Sequence, residues 1–232
     1  MTMRGMRAVL AAVVFAGCAS GSAAQPIDGQ PGQDATETPT DARPLDAFAF
    51  RDACVPTAQE LLANPALDLT PAGMGWTGMR DPQLAGFAFI GPDPTGFASH
   101  SVPNKAWFGG AAGTDLLQST VADSLYQDVA IPANATQVVV SGQWAMGTND
   151  STSTVFDTFQ LALVQPNGTP IETILTLDNT STPAGAWVAF SKTITANVAG
   201  QTVRLRGTSL NDITGHTNFF LDTLSLKATG CP

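Results

Sequence analysis

Short apolar runs with a two-residue period, cut at close intervals by Gly, Pro, Asn and Asp, constrain this chain more than any other feature. In "QTVRLRG" Val203 and Leu205 face one way while Arg204 and Arg206 face the other. In "TQVVVSGQWAM" Val138, Val140, Trp144 and Met146 share one face. A period of two belongs to strands, and a sheet with one apolar face must bury it against another layer. The pattern predicts strands at Leu61–Leu67, Ser101–Phe108, Tyr126–Ile131, Thr136–Ala145, Phe156–Gln165, Pro170–Leu177, Ala186–Ile194, Gln201–Ser209 and Asn218–Ala228. "QPNGTP" reads as a hairpin turn, and only "PTAQELLA" has the composition for a helical turn or two. The expected class is an all-β sandwich of roughly eight to nine strands.

Two stretches stand apart from this pattern. Arg80 to His100, "RDPQLAGFAFIGPDPTGFASH", fits no strand and reads as a long structured loop, a place where binding specificity is often built. In "FFLDTLSL", extending the period of Leu224 and Leu226 backwards puts Asp222 on their apolar face. A carboxylate there needs compensation, by hydrogen bonds or a charge, or a position at the strand's wet end.

The start of the chain does not read as fold. Arg4 and Arg7 precede the apolar run Ala8–Ala16, the layout of a secretory signal and too short to cross a bilayer. "FAGC", Phe15 to Cys18, resembles the lipobox of bacterial lipoproteins, in which cleavage before the cysteine is coupled to diacylation of its thiol by chains such as palmitate. The alternative is an ordinary cleaved signal with a stray cysteine. The resemblance implies a signal peptide over residues 1–17, a lipid anchor at Cys18 and a location at the bacterial cell envelope, on the outer membrane or cell surface. Residues 18–53, rich in Pro, Gly, Ala, Thr and Asp, read as a disordered acidic linker, with the folded domain over 54–232. The membrane would be met through the anchor alone.

The whole chain carries a net charge of −9, and losing Arg4 and Arg7 with the signal leaves eight basic against nineteen acidic residues, a net −11. Such a surface repels nucleic acid, and no basic cluster interleaved with aromatics offsets it. With Cys18 lipidated, Cys54 and Cys231 remain, bracketing everything that looks folded in an exported chain. A bond between them is expected, the alternative being two free thiols.

Several stretches in this order resemble jelly-roll domains of the galactose-binding-like superfamily. These include carbohydrate-binding modules of the xylan- and glucan-binding kind and modules appended to secreted bacterial proteases. The stretches are "ELLANPALD" with Gly75 and Trp76 following, "AWFGG", "LYQDVAIP", "FDTFQLALVQPNG", "GAWVAFSKTITANVAGQTVRLRGTS" and "FFLDTLSL". Together they span about residues 60–228. The resemblance implies a jelly roll whose first and last strands lie side by side, with a structural Ca²⁺ held there by acids and carbonyls. Asp68 takes the place of the opening acid and Asp222 that of the first closing aspartate, whereas Thr223 stands where the family has a second aspartate.

The sequence holds two histidines, His100 and His216, and no HExxH, G-x-S-x-G, Walker or dinucleotide motif, so binding is expected in preference to catalysis. A polysaccharide or glycan site needs exposed aromatic faces beside amides and carboxylates. Tyr126 is the first candidate, since "YQDVAI" puts it with Asp128, opposite Val129 and Ile131. Trp107 and the loop residues Phe87, Phe89 and Phe97 are further candidates, unless the loop buries its own aromatics. The expected role is a membrane-anchored binding lipoprotein, with contact to another envelope protein as the alternative.

Overall fold

The computed structural model describes residues 54–92, 95–110, 119–150 and 153–231. The chain divides into two units, Met1–Ala49 and Phe50–Pro232, and every described residue belongs to the second. The signal segment, Cys18 and the predicted linker lie outside the described residues.

Among the described residues eleven strands form two antiparallel sheets: β1 (Thr57–Glu60), β2 (Thr77–Met79), β3 (Ile90–Gly91), β4 (Lys105–Phe108), β5 (Val121–Ala130), β6 (Ala135–Thr148), β7 (Thr158–Val164), β8 (Pro170–Asp178), β9 (Val188–Thr193), β10 (Thr202–Asn211) and β11 (Thr217–Gly230). One sheet runs β3-β4-β11-β6-β9, with β1 also paired to β11, and the other runs β2-β5-β10-β7-β8. Apart from the β7–β8 hairpin, each consecutive pair of strands from β4 to β11 is divided between the sheets. This winding defines a jelly-roll β-sandwich.

Between the sheets the alternating apolar residues interdigitate. Phe108 meets Phe89 and Phe159 edge to face, each with ring centroids 5.0 Å apart, and Leu205, Leu224 and Val140 are fully or almost fully buried beside them. Gly207 on β10 is required by this packing, because a Cβ there would lie 2.8 Å from Phe108 Cζ. Trp144 is 6% exposed, in the core where its alternation put it.

The ends of the domain are joined. Cys54 and Cys231 form a disulfide with their Cα atoms 5.7 Å apart. Disulfides persist in oxidising compartments, which places this domain outside a reducing cytoplasm. Among the described residues no helix is long and apolar enough to cross a membrane.

The strand pattern differs from expectation at the chain's opening. "PTAQELLA" holds no helical turn: Thr57–Glu60 is a strand because it pairs with Lys227–Gly230 of β11. Leu61–Leu67 is not a strand, since Asn64 and Leu67 adopt left-handed φ values of 57° and 65°. The Asn64 side chain donates to Met74 O and accepts from Leu69 N, and Gln127 brackets Ala63 through its N–H and C=O. The predicted Ser101–Phe108 strand shortens to Lys105–Phe108 because Ser101 and Asn104 are drawn into hydrogen bonds with the carboxylates of Asp222 and Asp68.

Candidate functional site

The outer faces of the two sheets differ. On the six-stranded sheet, Trp107 of β4, Phe220 of β11 and Ala145 of β6 point away from the main core and form a second one with Leu84 and Val121. Residues 80–92 and 95–103 roof it: Phe97 stacks on Phe220 with centroids 4.8 Å apart and planes 6° from parallel, and Trp187 Nε1 donates to Ala98 O. Arg80 is largely buried in this layer. Its guanidinium lies 4.2 Å from the Trp107 ring centre, donates to Trp107 O at 2.5 Å and pairs with the buried Asp123 at 3.3 Å. Burial pulls the Arg80 pKa down and the Asp123 charge pushes it back up.

Trp107 is therefore not a surface residue, contrary to the expectation that it could meet a ligand. It is 1% exposed, and its Nε1 donates to Asn218 Oδ1 at 2.7 Å. Alternation alone could not tell an outward-pointing residue under a loop from one facing water. Phe89 is packed against the main core on Phe108 and Phe97 against the second core on Phe220, while Phe87, 39% exposed, meets the Trp107 ring edge to face.

Asp222 belongs to this roofed side, not to the leucine face. Phe219 and Leu221 point into the main core, as do Leu224 and Leu226, so the phase changes between them. The cause is a bulge between Asp222 and Ser225, where Thr223 takes a φ of 49°. One inserted residue turns Asp222 to the opposite face. There it is fully buried. One carboxylate oxygen accepts from the His100 and Ser101 amides, and the other from the Ser101 hydroxyl, the Thr223 amide and the Thr223 hydroxyl. Protein donors thus fill the lone pairs of the oxygens that were expected to share a calcium with Asp68. Asp68 accepts from Asn104 N at 3.1 Å. The opening strand contributes an acid that the sequence reading missed: Glu60 accepts from Leu226 N and Ser225 Oγ, tying β1 to β11.

The outer face of the five-stranded sheet is different. Its alternating residues are mostly polar: Ser124, Tyr126 and Asp128 on β5, Arg204, Arg206 and Thr208 on β10, Thr158 and Gln160 on β7, with Ala122, Ala130 and the exposed Leu210 among them. Tyr126 opposes Arg206, and Asp128 opposes Arg204. The Arg204 guanidinium lies 3.8 Å from the Tyr126 ring centre and binds Asp128 through two bonds of 2.7 and 2.9 Å. The hydrogen bond from Arg204 holds the Asp128 carboxyl below its usual range, against a smaller opposing effect of desolvation. Tyr126 and Asp128 are thus together on one face, as the alternation predicted. Arg204, which sequence reading left out, joins them because β10 lies beside β5 in the sheet. Further along, Thr158, Gln160, Thr176, Thr208 and Leu210 line a shallow depression of about 220 Å³.

A third constellation sits where the β6–β7 and β10–β11 connections meet. Carboxylate oxygens of Asp150, Asp157 and Asp212 lie within 4.8 Å of one another. Burial pushes the Asp157 carboxyl up, the polar Thr217 side chain and the Asp212 amide oppose this, and the charges of Asp150 and Asp212 add to the rise.

No family model matches the chain, and no curated protein matches it. Solved structures similar to it include a CBM61 module in complex with β-1,4-galactotriose, at 14% identity and a TM-score of 0.45 over 72% of this chain and 97% of that one. The K3 cleaved adhesin domain of Lys-gingipain from Porphyromonas gingivalis W83 is 16% identical with a TM-score of 0.49, covering 74% of this chain and 99% of that one. The xylan-binding module CBM15 is 14% identical with a TM-score of 0.37, covering 76% of this chain and 97% of that one.

Proposed function

We propose that the jelly roll is a carbohydrate-binding domain of an exported, lipid-anchored protein, and that its site is the outer face of the five-stranded sheet. One observation carries this reading: one sheet is roofed by its own apolar loop, while the other presents hydroxyl, amide, guanidinium and carboxylate groups around a single tyrosine ring. Such groups match the hydroxyls of a sugar chain, and the Tyr126 ring beside them, stacked by Arg204, adds aromatic surface. The role is binding, not catalysis. Cys18 holds the domain at the cell envelope by its acyl chains, with the polar face turned to an extended ligand.

A panel of plant and bacterial polysaccharides tests the site by affinity electrophoresis of the full chain. Retention on at least one, weakened about tenfold or more by Tyr126→Ala and by Gln160→Ala, supports it, since a tenfold loss corresponds to about 1.4 kcal/mol. No retention on any polysaccharide overturns it. The anchor has its own test: Cys18→Ser should release the protein from the membrane fraction, and persistence there rejects lipidation at Cys18.

Contact with an envelope protein is a second reading, favoured by exposed apolar residues on two adjoining segments. Val155 and Phe156 are 52% and 39% exposed, and Leu210 and Ile213 are 49% and 57% exposed, on stretches joined by the bond from Asp212 N to Asp157 Oδ1. Crosslinking at Ile213 that captures one defined envelope protein, alongside failure of the polysaccharide panel, would favour it.

A further inference from the structure

The Asp157 carboxylate is a buried acid that its own surroundings leave incompletely satisfied. The residue is fully buried, and while Oδ1 accepts from Asp212 N at 2.9 Å, Oδ2 is shut from solvent with no hydrogen-bond partner. Buried carboxylate oxygens are ordinarily satisfied, as Asp222 is by its ring of donors. Asp157 instead shares its corner with two more acids, which oppose its charge.

We infer that Asp150, Asp157 and Asp212 form a calcium site that joins the β6–β7 and β10–β11 connections. Three features select the ion. The set is carboxylate oxygen alone, which suits a hard divalent cation and not the nitrogen and sulfur preferences of zinc or copper. Oxygens about 2.4 Å from a calcium ion can be up to about 4.8 Å apart, and the three carboxylates meet within 4.8 Å. Magnesium draws its ligands in to about 2.1 Å, demands a near-ideal octahedron and gives up its waters reluctantly, so it is seldom held by an all-protein cage of this kind. Two positive charges against three carboxylates remove most of the repulsion and give Asp157 Oδ2 the partner it lacks.

The site differs from the one implied at Asp68 and Asp222, and it is independent of the carbohydrate reading. Its place in the fold gives it a structural consequence. Asp157 immediately precedes β7 and Asp212 immediately follows β10, and these strands carry Gln160 and Thr208 of the polar face. The ion would clamp adjacent ends of two paired strands.

The full chain, stripped with EDTA and dialysed, is titrated calorimetrically with CaCl₂ and separately with MgCl₂, and its melting is followed with and without each metal. The inference expects one calcium per chain, a melting temperature that rises with calcium, and little response to magnesium at equal concentration. Asp212→Asn and Asp150→Asn, at partly exposed positions, should fold and lose calcium affinity at least tenfold, whereas Asp68→Asn should keep it. No calcium heat with an unchanged melting temperature overturns the site. Calcium binding unaltered in both cluster variants overturns its location, and an equal magnesium response overturns the choice of ion.

Discussion

Ser101 gives the Asp222 carboxylate both its amide, at 2.9 Å, and its hydroxyl, at 2.8 Å, and so fastens the loop before β4 to the bulge in β11. Removing the carboxylate leaves the His100, Ser101 and Thr223 donors facing one another in a fully buried place. Asp222→Ala should therefore cost about 3 kcal/mol or more, because several buried donors lose their acceptor at once. Urea denaturation of the full chain measures this. The loss should be the same in calcium and in EDTA, since the carboxylate already accepts from five protein donors; a larger loss in calcium would place an ion there.

The disulfide closes the domain across a sequence separation of 177 residues. A native cross-link of this kind typically contributes 2–5 kcal/mol, roughly, mainly by restricting the unfolded chain. The pair Cys54→Ser and Cys231→Ser should lower the urea midpoint with little change in the folded spectrum. An unchanged midpoint would show that the Glu60 bonds to Ser225 and Leu226 suffice to hold β1.

How much of this was legible in the sequence depends on which residues carried the information. The long inner strands could be read because Val203 and Leu205, or Val138 and Val140, repeat with the pleat and bury one face. The edge strands β1, β2 and β3 could not: they are two to four residues long, and tertiary pairing rather than their own alternation makes them strands. Asp222 was singled out correctly as a carboxylate needing compensation, but its face was misplaced because a bulge leaves no mark on a hydrophobic period. Asp150, Asp157 and Asp212 were invisible as a group, since only the winding of the jelly roll brings the two connections together. Tyr126 and Asp128 share a strand and could be paired by counting; Arg204 could be added only once β10 was known to lie beside β5.

Trp107 separates packing from binding. Trp107→Phe removes the Nε1 bond to Asn218 and shrinks the ring beneath Arg80. Leaving the buried Asn218 oxygen without its donor should cost about 1–3 kcal/mol in urea denaturation. Affinity for any polysaccharide that the domain retains should stay within about twofold of the wild type, because the residue lies under the roofed sheet. A selective loss of affinity with stability intact would return Trp107 to the binding site.

Glu172 on β8 provides the pH test. Burial alone would raise its carboxyl, but hydrogen bonds from the Ala196 and Thr195 amides, the Thr195 hydroxyl and Lys192 outweigh it and hold the pKa below the ordinary value. Since the folded pKa is depressed, the stabilisation is fully present above the unfolded value and is lost as pH falls through the folded one. Glu172→Gln keeps the shape and one acceptor, so at neutral pH it should cost only about 1 kcal/mol. The gap between wild-type and variant urea midpoints should hold steady above pH 6, roughly, and close as the pH drops below about 4.3, the ordinary glutamate value. A gap that is constant down to acid pH would mean that the 195–196 turn is held on β8 by shape alone, with the carboxylate charge contributing nothing.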